Sequence, residues 1–314
     1  MMATRPERIA YYNGEFLPEN QIAIPFRDRG FRWGDGCYDM ARTFNLRPFK
    51  LKEHIDRLYR SLRYLRIDLP ISPDEMASIS EEVLSRNLHL LGPREDYWIT
   101  QRISRGVDAA GDEEPFRRGP TVIVECCPLP YRSRAHLYFD GIDLLIPSVR
   151  RTPPSSLSPR AKSGNYLNHT LADLDVRSRN PQAWALFLDQ AGNVCEGTSN
   201  NIFLVSGGRL LTPREQFVLA GVSRQTVIEL AGELGIGCEE RDIDLYDAAN
   251  ADEIFLTMTS MCICPVRSFE GTLIRASTIP GPVTHRLQRA WIERVGCDFI
   301  DQFTRTLKSG SEVA

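Results

Sequence analysis

The chain has 314 residues, of which 42% are hydrophobic and 25% charged, and a net charge of −3. That length suits about two domains with a core large enough to need no disulfide or metal staple, and interspersed acids and bases without a basic stripe exclude a nucleic-acid footprint. No run approaches the ~18 apolar residues of a membrane span, and no signal-peptide core opens the chain. The eight cysteines form no C-x-x-C pair and the five histidines are scattered. Free thiols in a reducing cytosol fit this pattern, so a cytoplasmic protein without a metal site is expected.

Residues 9–12, the Asn13-Gly14 pair and Phe16-Leu17 read as a hairpin. Residues 37–44 alternate as a strand, and a turn over 45–48 leads to a short strand at 49–51. Ile55, Leu58, Leu62 and Leu65 recur at helical spacing and mark a helix over 53–65. Ser72 as N-cap with Pro73 in the first turn opens a second helix. Strands at 97–104 and 121–126 enclose a polar loop, rich in glycine and proline, at 106–119. A first, smaller domain is expected over 1–130, a linker over 131–141 and a second, larger domain over 142–314. In the second, 142–148 reads as strand, 164–176 as helix and 184–188 as strand. Ser206-Gly207-Gly208 turns strands 202–205 and 210–211 into a hairpin, and Gly235 closes a helix over 223–234. Strands at 238–242, 253–258 and 263–269 precede an amphipathic helix at 282–295. Strands and helices do not alternate strictly, so the class is α+β rather than doubly wound.

Only four of the 38 basic residues are lysines. One of them, Lys162, lies in Ala161-Lys162-Ser163-Gly164-Asn165-Tyr166-Leu167. Unlike arginine, lysine can shed its proton when buried, and the neutral amine attacks a carbonyl to form a Schiff base. That admits covalent chemistry with a pyridoxal cofactor, against the plainer reading of a surface lysine at a helix start. A pyridoxal phosphate site also needs an anion beside the pyridine nitrogen, a donor near the ring hydroxyl and a phosphate cradle. Glu196 is the candidate anion, after an apolar strand and before a small polar turn. Gly221-Val222-Ser223 is a glycine turn leading into a helix, whose unpaired N–H groups and Ser223 hydroxyl suit a phosphate. Thr257, Thr259 and Ser260 end a strand with three hydroxyls and offer a second lip.

The ordered set Lys-x-x-Asn-Tyr-Leu from Lys162, Glu-Gly-x-x-x-Asn from Glu196 and Gly-Val-Ser-Arg-x-x-Val from Gly221 resembles the class IV (fold type IV) pyridoxal phosphate aminotransferases. The segments from Asp28 to Asp39 and His54-Ile55-Asp56-Arg57-Leu58 are similar to that family's first domain, so the resemblance covers roughly residues 9–295. It implies a small N-terminal α/β domain and a larger cofactor-binding domain with a barrel-like β core. It also implies pyridoxal 5'-phosphate as cofactor, with Lys162 forming the aldimine and moving the substrate α-proton in a ping-pong cycle. Glu196 would then pair with the pyridine nitrogen and Tyr166 donate to the ring hydroxyl. Arg57, Val222, Ser223 and Thr259 would hold the phosphate, and Leu219 would pack on the ring face. The implied partners are an amino donor, a keto acid acceptor and a second copy of the chain in a homodimer.

Within the family the motifs are mixed. The gap from Lys162 to Asn165 is one residue shorter than in branched-chain enzymes and resembles the D-amino-acid and (R)-amine branches. Branched-chain enzymes carry Tyr-x-Arg where this chain has Tyr97-Trp98-Ile99, while Asn165-Tyr166-Leu167 still matches them. Asp39 stands where the lyase branch, aminodeoxychorismate lyase, has threonine. The first choice is a transaminase for D-amino acids or (R)-primary amines. The alternative is a branched-chain L-amino-acid aminotransferase, ahead of a lyase or a non-catalytic homologue. Tyr38 and Arg105 are the substrate-site candidates, with Arg32 and Arg102 as further cations for the acceptor carboxylate.

Overall fold

Asn13 and Gly14, at φ of 52° and 105°, fold β1 (Ile9–Tyr12) back on β2 (Glu15–Pro18), the hairpin expected of an Asn-Gly pair. The computed structural model describes residues 7–308. Its chain divides into two compact units. The first runs through Leu129 and takes in Ala161–Tyr166; the second comprises Pro130–Arg160 and the chain from Leu167.

In the first unit, α1 (Arg29–Trp33) follows the hairpin, its cap Asp28 accepting from the Gly30 N–H. Then come β3 (Gly36–Phe44), β4 (Arg47–Pro48), α2 (Leu51–Leu65), α3 (Pro73–Asn87), β5 (Tyr97–Ser104) and β6 (Thr121–Pro128). The expected strand at 49–51 is absent. Arg47–Pro48 pairs back on β3 instead, and Leu51 is already the buried first residue of the helix. Ser72 and Glu75 form a reciprocal capping box at the start of α3.

The strands form an antiparallel sheet in the order β2-β1-β6-β5-β3-β4. Its period of two divides the side chains between two faces. Ala41, Ile99, Ile103, Val122, Val124 and Cys126 pack with Ile55, Leu58 and Leu62 of α2 and with Met76 and Val83 of α3. Tyr38, Arg102 and Glu125 alternate with those positions and belong to the opposite face.

The second unit begins with α4 (Tyr131–Arg134) and α5 (Leu137–Asp140), where the sequence suggests a linker. Residues 131–141 read as a linker, yet Tyr131, Leu137 and Tyr138 are buried. Both tyrosine rings pack on Phe303, and the Tyr138 hydroxyl donates to the Met261 carbonyl at 2.7 Å. The chain continues through β7 (Ile142–Leu145), α6 (Leu167–Arg179), β8 (Trp184–Leu188), β9 (Val194–Gly197), β10 (Asn201–Ser206) and β11 (Arg209–Thr212). It ends with α7 (Val222–Glu233), β12 (Cys238–Glu240), α8 (Leu245–Ala249), β13 (Glu253–Met258), β14 (Cys262–Phe269), β15 (Thr272–Leu273), α9 (Pro282–Val295) and α10 (Phe299–Lys308).

Strand pairing runs β10-β13-β14-β7-β8-β9, and β9 pairs back to β10, which closes six strands into a barrel. This is the expected barrel-like core. β11 and β12 extend it from β10, and β15 pairs only with β14. Phe187, Ile202, Phe203, Phe255, Leu256 and Ile263 are fully buried on its strands, and the Phe203 and Phe255 rings stack at 5.1 Å. The helix expected over 164–176 begins only at Leu167, because the Gly164 N–H and the Asn165 side chain are tied to the carbonyls of Gly36 and Gly34.

Glu253, the first residue of β13, caps α9 from a distance. Its Oε1 accepts from the Val283 N–H at 2.8 Å, and its Oε2 accepts from the Thr284 N–H at 2.8 Å and the Thr284 hydroxyl at 2.6 Å. The cap residue Gly281 has no side chain to do this, and a Cβ there would stand 2.3 Å from Glu253 Cδ. Glu253→Ala is expected to destabilise the second unit by about 2–3 kcal/mol, since buried donors lose a charged acceptor. Urea denaturation of the variant checks this.

Candidate active site

Lys162 is held in place by its backbone. Its N–H donates to Ser61 Oγ on α2 at 3.1 Å, and its carbonyl accepts from the Tyr38 N–H on β3 at 3.0 Å. The Gly164 N–H donates to the Gly36 carbonyl at 2.8 Å, so the segment lies along the start of β3. Lys162 Nζ stands 4.4 Å from the centroid of the Tyr38 ring. The Tyr38 hydroxyl donates to the Tyr166 hydroxyl at 2.5 Å. Burial pushes the Tyr38 phenol up, opposed by this bond and by the charge of Arg102. Lys162, Tyr38 and Tyr166 thus form one cluster in the first unit.

Arg57 lies beside this cluster in a buried triad. Its Nε and Nη2 each donate to one oxygen of Asp39 at 2.8 Å. The ring of His54, one helical turn before Arg57 on α2, donates from Nδ1 to Asp39 Oδ1 at 2.7 Å. All three side chains are buried. Burial alone would raise the Asp39 carboxyl, but Arg57 and His54 outweigh it and hold it far below the usual carboxylate range. Burial also lowers the His54 imidazole, which Asp39 only partly offsets. Removing one member of such a buried set leaves a charge without its partner.

In the second unit Glu196 lies on β9 with both oxygens engaged. Oε1 accepts from Arg151 Nε at 2.9 Å, and Oε2 accepts from the Leu219 N–H at 2.8 Å and Asn201 Nδ2 at 3.4 Å. Asn201 Nδ2 also donates to the Leu219 carbonyl at 2.9 Å, which fixes the approach to α7. No side chain caps α7. The Gln225 N–H is the first to reach back to Gly221, so the N–H groups of Val222, Ser223 and Arg224 have no partner within the helix. At Gly221 a Cβ would stand 2.1 Å from Asn201 Oδ1, so only glycine lets the backbone pass. The Thr257 hydroxyl, opposite Asn201 in the β10–β13 register, is buried without a hydrogen-bond partner. An open helix start and an unsatisfied hydroxyl suit an anionic phosphate, and an anchored carboxylate suits a ring nitrogen. Thr259 lies half-buried in the turn between β13 and β14, and Ser260 accepts from Arg134 Nη1 at 2.6 Å.

Arg105 is held elsewhere. Its Nε and Nη2 pair with Asp35, and Nη1 and Nη2 donate to the carbonyls of Arg66 and Leu65 at the end of α2. It clamps a helix terminus instead of presenting a free guanidinium. Arg32 is tied to Asp108 at 2.8 Å and stacks on Trp33. Sequence reasoning missed Asp39 and His54 as partners of Arg57, and Arg151 and Asn201 as partners of Glu196. A signal for the first pair exists: Asp39 alternates onto the helix-facing side of β3, and His54 and Arg57 share one face of α2 at a spacing of three.

The family model described as amino-transferase class IV matches residues 36–269. This chain belongs to the class IV aminotransferases. A putative branched-chain-amino-acid aminotransferase of Methanocaldococcus jannaschii is 37% identical over 279 residues, covering 88% of this chain and 93% of that protein. A D-alanine aminotransferase of Bacillus licheniformis is 30% identical, covering 89% and 94%. The crystal structure of the Escherichia coli branched-chain amino acid aminotransferase superposes with a TM-score of 0.82 at 28% identity, over 91% of this chain and 94% of that one. The branched-chain amino acid aminotransferase of T.th., solved with pyridoxamine 5'-phosphate, gives 0.82 at 28% identity, over 92% and 94%.

The aminotransferase therefore has the type IV fold and uses pyridoxal 5'-phosphate. These comparisons back the branched-chain alternative better than the D-amino-acid or (R)-amine choice drawn from the Lys162–Asn165 gap. A one-residue difference in one loop weighs less than the higher identity over a similar span, 37% against 30%. Among the described residues no group of side chains could hold a metal ion, and no helix is long and apolar enough to cross a membrane.

The Asp39 triad predicts a pH dependence of stability. His54 is depressed in the fold, so its contribution is complete above its ordinary value of 6.5 and is lost as pH falls below it. Asp39 adds a further loss only below its ordinary value of 3.8. The urea midpoint is expected to fall between about pH 7.5 and about pH 5.5, and His54→Gln to flatten that slope. Asp39→Asn is expected to cost about 3–5 kcal/mol at neutral pH, because it removes the carboxylate charge that faces the buried Arg57 guanidinium.

Proposed function

We propose that this aminotransferase exchanges amino groups between a branched-chain L-amino acid and a 2-keto acid, in ping-pong fashion, with Lys162 as its catalytic residue. The observation that carries the substrate class is the similarity to the Methanocaldococcus jannaschii protein, which spans 88% of this chain. When bound, pyridoxal phosphate supplies the electron sink that acidifies the substrate α-carbon. Lys162 Nζ would hold the cofactor between turnovers and then act as the base that carries the α-proton from the amino donor to the cofactor in one half-reaction and back to the α-carbon of the acceptor in the other. The clamp by Ser61 and Tyr38 fixes the root of that amine, so most of its freedom lies in its own side-chain torsions.

Glu196 would pair with the ring nitrogen, its carboxylate held in place by Arg151 and the Leu219 N–H. By the family resemblance, the Val222 and Ser223 N–H groups, Thr259 and Arg57 would hold the phosphate, and Leu219 would pack on the ring. Tyr166 would donate to the ring hydroxyl, and Tyr38 would line the substrate side. Eight free cysteines suit a reducing, cytoplasmic compartment. Exposed Phe26, Phe31 and Trp33, with Leu167, Leu171 and Leu174 along one stripe of α6, suit the homodimer expected of the family.

A second reading, a D-amino-acid or (R)-amine transaminase, draws on the 30% identical D-alanine aminotransferase and on Tyr97-Trp98-Ile99, which lacks the branched-chain arginine. Half-reactions separate the two. The cofactor-loaded protein is offered L-leucine, D-alanine or (R)-1-phenylethylamine, and loss of its visible absorbance is followed. L-Leucine is expected to discharge it. Discharge by D-alanine or the amine without L-leucine would establish the second reading. Lys162→Ala is expected to lower turnover by about 10⁴-fold while leaving the fold intact, checked by steady-state assay beside a thermal melt.

A further inference from the structure

A 2-keto acid brings a carboxylate that needs a cation. With its α-carbon in proton-transfer reach of Lys162 Nζ, the cation must stand roughly 6–7 Å from that nitrogen. Arg105 and Arg32 are committed to Asp35 and Asp108, and Arg105 also to two backbone carbonyls.

Arg102 is placed differently. It lies directly across from Tyr38 in the β3–β5 register, on the face of the sheet away from α2 and α3. Its guanidinium carbon stands 5.5 Å from the centroid of the Tyr38 ring, and Lys162 Nζ stands 4.4 Å from the same centroid. At most about 10 Å therefore separates the Arg102 guanidinium carbon from Lys162 Nζ, and a long arginine side chain, half-exposed, can close the remainder.

Its only hydrogen-bond partner among the described residues is Glu125, through Nε at 2.8 Å. Glu125 lies on the neighbouring strand of the same face. A carboxylate is thus already bound where a substrate carboxylate would dock, and only by one of the two parallel bonds that a guanidinium can offer.

We propose that Arg102 is the residue that recognises the substrate carboxylate in this enzyme, and that Glu125 competes for it until substrate binds. This rests on the transaminase reading but not on which amino acid is the donor.

The test uses pyridoxal-phosphate-loaded enzyme titrated with two carboxylates, 4-methylpentanoate and 2-oxoglutarate, followed by the cofactor spectrum. Arg102→Leu is expected to weaken binding of at least one by roughly 10- to 100-fold, with cofactor content and melting temperature near wild type. Arg102→Lys should recover part of the loss. Glu125→Gln should tighten binding several-fold, since it removes the competing carboxylate. A purely structural Arg102–Glu125 pair would instead lower the melting temperature of both variants and leave the binding constants alone, which overturns the proposal. So does wild-type enzyme that binds neither carboxylate. Discharge by L-leucine, read separately on the same protein, shows whether the donor assignment stands or falls independently.

Discussion

Asp39 carries a charge with none of its side chain exposed, which the Arg57 guanidinium and the His54 ring make tolerable. The same bonds join β3 to α2 at one point and so fix the register of a strand on a helix. The N-terminal end of that strand receives the Lys162 segment, whose other support, Ser61, is on α2 one turn after Arg57. Any slip of β3 by one residue would turn Asp39 outward and Tyr38 inward. The amine, the ring beside it and the buried guanidinium are thus set by one electrostatic lock. The residues of that lock are polar, yet they share β3 and α2 with Ala41, Ile55 and Leu58 of the apolar core.

The second unit reaches the same end by different means. Glu196 is not neutralised by one partner but shared among a guanidinium, a backbone N–H and an amide. Two of these donors come from the approach to α7 and from β10, so the carboxylate and the open helix start are positioned by the same few residues. Asn201 is the hinge of this arrangement. Its amide nitrogen bonds to both Glu196 and the Leu219 carbonyl, and its oxygen forbids any side chain at Gly221. A closed barrel beneath, with no free edge between β9 and β10, keeps these elements in register.

Much of this is legible in the sequence, for a physical reason. Lysine, glycine and the hairpin pairs mark positions that other residues cannot fill, so Lys162, Gly221, Asn13-Gly14 and Gly207-Gly208 announce themselves. Helices with a clean apolar stripe, such as α2 and α9, are found within a residue or two. What escapes is anything defined by a partner distant in the chain. Asp39 breaks the apolar pattern of its strand and makes sense only once α2 lies against it. Arg105 looks like a substrate cation until Asp35 and the end of α2 are in place. The stretch 131–141 has the composition of a linker, and only Phe303, far along the chain, shows why its tyrosines are buried. The substrate branch escapes for another reason: it depends on a few side chains lining one face, and several strand sequences present equivalent groups there.

The chain enters the second unit at Pro130, returns to the first for Ala161–Tyr166, and leaves it again at Leu167. In order of synthesis, the antiparallel sheet and both of its helices are complete some thirty residues before the lysine is made. The amine is therefore a late guest in an assembled host, threaded in from the middle of the other unit. No single cut in the gene yields two fragments that each correspond to one unit, because a break before residue 161 parts the amine from Ser61 and Tyr38, and one after 166 carries part of the barrel along. An ancestor assembled by joining two independent genes end to end would have had to acquire this loop afterwards, or begin with the two units already interlaced.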